Sequence, residues 1–138
     1  MRMDQTAAPA PASPTLNAKV SASLKRDGAW QTYQRLLETQ KGAPGNLTIR
    51  GTIEIVRCTI VRDFLAKANR LKVTPRLTPE FLSDFDRFDL NVHEGYLVSL
   101  IDARSNLESL LKLSPFDSFT TLFTFSVLEL KGAIALPS

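Results

Sequence analysis

The sequence is poor in the residue types that small catalytic or metal-binding domains rely on. It has one histidine, His93, and one cysteine, Cys58, in 138 residues. A lone cysteine closes no internal disulfide. One His with one Cys also falls short of the several ligands at compatible spacing that a zinc or iron–sulfur site needs, so no metal and no cofactor is expected. Long hydrophobic runs are missing too. A membrane span takes about 18 uncharged apolar residues in a row, and the longest candidate, Ser118 to Leu128, is interrupted by Ser and Thr and ends at Glu129. Phosphate-loop and dinucleotide fingerprints are absent: Gly42-Ala43-Pro44-Gly45-Asn46 is glycine-rich, but no Lys-Ser or Lys-Thr follows, and Pro44 removes an amide that a phosphate cradle would use. This segment reads as a connector. No set of nucleophile, base and stabiliser stands out either. Cys58 and His93 are the one conceivable thiolate–imidazole pair. Their plainer reading is a small hydrophobe inside an apolar helix and a residue in the first turn of another helix. The expectation is a protein without catalytic activity.

What is present is an ordinary globular composition, 43% hydrophobic and 22% charged, which excludes a wholly disordered chain. Residues 1–15, rich in Ala and Pro, have too little apolar surface to repay ordering and read as a flexible tail or linker. They lack the apolar segment of a secretory signal, which points to a cytoplasmic protein. The rest, 16–136, reads as one helical domain. Leu16, Val20 and Leu24, then Trp30, Tyr33, Leu36 and Leu37, follow helical spacing with a break at Asp27-Gly28. Between Leu47 and Val73, Ile49, Ile53, Val56, Ile60, Phe64 and Leu71 make one stripe. Ile55, Val61 and Leu65 lie outside that stripe, so the spacing predicts a central, largely buried helix.

The second half has clearer punctuation. Thr78-Pro79-Glu80 is an N-cap, a first-turn proline and an acid, opening a short helix through Phe81, Leu82, Phe85 and Phe88. Asn91 with Glu94 is a capping pair for a longer helix through Tyr96, Leu97, Leu100, Ile101, Leu107, Leu110 and Leu111. Ser114-Pro115-Phe116-Asp117 starts a last helix through Phe119, Phe123 and Val127, ending near Gly132. Seven of the eight phenylalanines lie between Phe81 and Phe125, which places the bulk of the core in this half. The fold predicted is all-α, a compact bundle of five or six helices. The alternative is α+β, with strands near 47–56 and 119–130, where β-branched and aromatic residues are dense.

The formal charge of +3 conceals a split. Up to Arg76, thirteen Lys or Arg face five Asp or Glu, whereas from Leu77 onward four face nine. Arg50, Arg57, Arg62, Lys67, Arg70, Lys72 and Arg76 fall on the long central helix and its exit, and they are the candidate polyanion-binding residues. They surround the helix instead of lining one stripe. Lys19, Lys25, Arg26, Arg35 and Lys41 add positive charge upstream. Glu80, Asp84, Asp86 and Asp89 form a candidate partner-binding acidic face, interleaved with phenylalanines and lacking the ligand spacing of a calcium loop.

Two function classes follow. The first is a non-catalytic helical interaction or assembly subunit of a larger complex, with other protein subunits as partners. Self-association is included, in which Arg57 and Arg62 of one copy meet Asp84, Asp86 and Asp89 of the next. The second is a subunit that holds DNA or RNA backbone without reading bases. In size, helicity and mild basicity the chain resembles the small subunits of CRISPR effector complexes; these are gross features with no residue motif, and the resemblance implies backbone holding inside a larger assembly.

Overall fold

The computed structural model describes residues 12–67 and 69–137, with side chains from residue 18 onward. Of the tail expected over 1–15, residues 1–11 lie outside the described residues, and helix begins at Ala12. The fold is all-α. Among the described residues it has six α-helices and one pair of two-residue strands. The segments open to a strand reading, 47–56 and 119–130, are both helical. The chain divides into two compact units, one ending at Thr59 and the other starting at Ile60.

In the first unit, α1 (Ala12–Gly42) is interrupted where the sequence predicts. Gly28 takes φ 85° and ψ 170°, a backbone region open at low cost to glycine alone. Ser23 Oγ then lies 2.7 Å from Thr32 Oγ1. In a straight helix nine residues advance about 13 Å, so the contact shows that α1 folds back on itself as a helical hairpin. Thr32 Oγ1 also donates to the Gly28 carbonyl at 2.9 Å, which ties down the turn. The Gly42–Gly45 loop leads to Asn46, whose side-chain oxygen accepts from the Ile49 amide at 3.1 Å and caps α2 (Leu47–Leu65). Ile49, Ile53 and Val56 are buried along α2, as the stripe predicts.

The sequence reading of α2 needs two corrections. The helix stops at Leu65 instead of continuing to Val73, and a 3-10 turn, Arg70–Lys72, follows. Nor is it buried on all sides, since Ile55 is 65% exposed and Leu65 39% exposed. The enclosed helix is α6 (Ser118–Lys131), with Thr121 and every residue from Phe123 to Leu128 buried. Its hydroxyls make that burial cheap. Thr121, Thr124 and Ser126 donate to the carbonyls four residues back at 2.7–2.9 Å, so none of these three hydroxyls is buried unpaired.

The second unit takes Ile60, Val61 and Phe64 from the end of α2 and builds its core from the phenylalanine-rich half. Strands β1 (Arg76–Leu77) and β2 (Ile134–Ala135) pair antiparallel, Leu77 opposite Ile134. Thr78 caps α3 (Pro79–Ser83), accepting from the Phe81 amide and donating to the Gly132 carbonyl. Asn91 and Glu94 form a reciprocal capping box on α4 (Val92–Leu100). Phe64, Phe81, Leu97, Leu110, Phe125 and Ile134 belong to one continuous buried cluster. The long helix expected from Tyr96 to Leu111 is two helices. Asp102 accepts from the amides of Arg104 and Ser105, Ala103 turns to φ 62°, and Asn106 caps α5 (Leu107–Leu113). α6 ends at Gly132, φ 86°, as its sequence indicates.

Candidate interaction surfaces

The seven candidate polyanion-binding residues have different environments. Arg70 is 5% exposed. Its Nη2 donates to both carboxylate oxygens of Glu129 at 2.8 and 3.0 Å, and its guanidinium lies 4.8 Å from the centre of the Phe64 ring. Longer bonds reach the carbonyls of Phe64 and Leu136. Arg70 is therefore a structural cation inside the second unit. Lys72 contacts Glu108 at 2.8 Å, Arg57 contacts Glu54 at 2.9 Å and Arg62 contacts Asp63 at 3.4 Å. The Lys72 ammonium, which donates to Glu108, holds that carboxyl below its ordinary value. Arg50, Lys67 and Arg76 are exposed.

The acidic residues are arranged differently. Glu80, Asp84, Asp86 and Asp89 are all exposed on one short stretch, and two large apolar side chains stand out among them, Leu82 at 65% and Phe85 at 61% exposure. The sequence predicts one amphipathic helix here, which would put Phe81, Phe85 and Phe88 on a common face. Instead α3 stops at Ser83, Asp84 leaves helical geometry at φ −153° and ψ 66°, and a 3-10 turn runs from Phe85 to Phe88. Phe81 and Phe88 turn inward and meet edge to face at 5.2 Å, while Phe85 leans on Phe81 from outside. The turn is thus anchored by two buried rings and presents a third.

A second feature lies in the first unit. The two arms of α1 enclose an open cleft of about 400 Å³, lined by Lys19, Arg26 and Arg35, by the hydroxyl residues Ser23, Thr32 and Thr39, and by Val20, Ala22 and Leu36. Arg35 donates to Ser23 Oγ at 3.1 Å and to the Asp27 carboxylate, which also accepts from Arg26 Nε at 2.9 Å. The Arg35 hydrogen bond is the largest influence holding the Asp27 carboxyl below its ordinary value. Sequence reasoning counted Lys19, Arg26 and Arg35 only as upstream charge. The signal that could have grouped them was the Asp27-Gly28 break, because a hairpin turning there brings residues 19–26 opposite 32–39.

Cys58 belongs to the first unit and His93 to the second. Cys58 is exposed, against the expectation of a buried hydrophobe, because it sits off the stripe of α2 that turns inward. His93 is in the first turn of α4, as predicted, with its ring edge-on to Phe116 at 4.4 Å. Among the described residues no group of His, Cys, Asp and Glu could hold a metal ion, and no helix is long and apolar enough to cross a membrane. The chain matches no family model, and neither curated proteins nor solved structures yield a match.

Proposed function

We infer that this chain is a non-catalytic helical interaction subunit that docks on a protein partner through the acidic, aromatic turn of its second unit. It works in the cytoplasm, where an exposed Cys58 stays a thiol. The observation that carries the reading is the pair Leu82 and Phe85, both exposed and three residues apart, among four exposed carboxylates on a turn that Phe81 and Phe88 anchor. Single exposed hydrophobics are common on any surface and mean little. An aromatic anchor on a rigid base with a charged rim has the composition of an interface hot spot. The partner surface that complements it is basic with an apolar centre.

Nucleic-acid backbone holding is the weaker reading. Arg57, Arg62, Arg70 and Lys72 each have a carboxylate within 3.4 Å, so part of the positive charge counted from the sequence is already matched inside the protein. A labelled amphipathic Lys/Leu helical peptide is the probe. It should bind the full chain in an anisotropy titration, and Phe85→Ala should weaken binding by about tenfold, the effect of losing a moderate hot spot. Equal binding by the wild type and Phe85→Ala would sink the assignment.

A further inference from the structure

We propose that the α1 cleft is the receptor for the Leu82–Phe85 turn of a second copy of this chain, so that the protein assembles head to tail. The inference rests on the docking reading above and supplies its partner. Two independent surfaces support it. The cleft, about 400 Å³ and open to solvent, can be reached by side chains of a docking turn. Its floor has the apolar side chains that such guests need, with Leu36 buried and Val20 half-buried. Its rim carries Lys19, Arg26 and Arg35, and Asp27 bonds to both arginines and so fixes their heads at the mouth.

The turn is the opposite in charge and alike in pattern. Leu82 and Phe85 protrude at its centre, with Glu80, Asp84 and Asp86 around them. Three cations against one carboxylate meet four carboxylates, Asp89 being the fourth, against Arg87, so the approach is attractive before any apolar contact forms. Leu82 and Phe85 are left uncovered by their own unit, so their apolar area is available to a second copy. Because the two surfaces differ, the contact is heterologous, and it leaves one free cleft and one free turn for further copies. This differs from the pairing expected from the sequence, in which Arg57 and Arg62 meet the acidic face; in the fold those arginines lie against Glu54 and Asp63.

The test is light scattering on the full chain over a concentration series at low salt. The wild type should gain mass with concentration and lose it as salt rises. Asp84→Lys with Asp86→Lys, and separately Lys19→Glu with Arg26→Glu, should each weaken association by about tenfold or more. Mixing the two variants should restore a dimer and nothing larger, since each keeps only the surface that the other has lost. Lys19→Glu alone, at an exposed position, should show the same direction if Arg26→Glu disturbs the hairpin as judged by circular dichroism. A wild type that stays monomeric overturns the inference, as does association that ignores the cleft variants. In either case the docking reading is still decided by the peptide titration, where Phe85→Ala reports on the turn alone.

Discussion

Arg70 shows how a single side chain changes meaning between sequence and structure. In the sequence it is one cation in a basic series. In the fold it is almost fully enclosed, bound to Glu129 and set over the Phe64 ring. Breaking a buried ion pair from one side leaves a charge without its partner, which costs about 3–5 kcal/mol when both groups are enclosed. Glu129 keeps 23% of its side chain in solvent, so the lower end applies. Arg70→Met should therefore lower unfolding stability by about 3 kcal/mol in a urea titration, and adding Glu129→Leu should recover part of the loss because no orphan charge remains. A change below about 0.5 kcal/mol, the usual range for a surface site, would show that the pair is not structural. Asp27 gives a prediction in pH. Its ordinary value is 3.8, and Arg35 first, then Arg26, lower it in the folded chain. A carboxyl with a lowered folded value contributes stability above its unfolded value, and that contribution fades as pH falls through the folded value. The stability difference between wild type and Asp27→Asn should hence be constant above about pH 5 and shrink below 3.8. A difference that grew on acidification would have the wrong sign.

At the scale of elements, the α1 hairpin depends on one residue. Gly28 at φ 85° and ψ 170° occupies a region where a side chain costs of order 1–3 kcal/mol. No atom lies within 4 Å of where its Cβ would be, so the penalty comes from the backbone and not from crowding. Gly28→Ala should then open the hairpin locally, raising hydrogen exchange in residues 19–39 and leaving α6 protected; unchanged exchange there would refute the strained turn. This break was legible in the sequence, as were the caps at Thr78, Asn91 and Gly132. Each of these signals is local: a side chain bonds an amide three residues on, or a glycine relieves a single φ. The features that were not legible depend on distant contacts. Nothing between Glu80 and Asp89 says that Phe81 and Phe88 go inward while Phe85 turns out, because the core those two rings enter is built by later segments. The division between α4 and α5 was in principle readable, since Asp102 accepting from the Arg104 amide makes an Asx turn and Asn106 can cap. The unbroken apolar spacing around it carried the prediction instead.

For the whole molecule, the opposition of a basic and an acidic half does not coincide with the two structural units. The units divide at Thr59 and Ile60, whereas the charge changes sign near Arg76. The basic stretch from Arg62 to Arg76 thus belongs to the second unit, where Arg70 meets Glu129 and Lys72 meets Glu108. Lys131 on the buried Glu94 adds a third cross-element pair. Part of the charge counted from the sequence is therefore matched within the second unit, while Glu80, Asp84, Asp86 and Asp89 around the Phe85 turn stay exposed. Apolar burial is unequal in the same way. The continuous cluster that includes Leu97, Leu110, Phe125 and Leu128 lies entirely in the second unit, while in α1 the buried residues among those described are Ser23, Thr32 and Leu36. Protection against hydrogen exchange follows the depth and contiguity of such burial, since an amide opens locally wherever few contacts resist it. Exchange measured by mass spectrometry should accordingly be slowest in Phe123–Leu128 and fastest, among the long helices, in α1. If α1 were the slowest segment in a dilute sample, its stability would have to come from contacts beyond those of its own hairpin. If α1 gained protection only as concentration rose, with the Phe85 turn gaining it in parallel, the two surfaces would be protecting each other between copies.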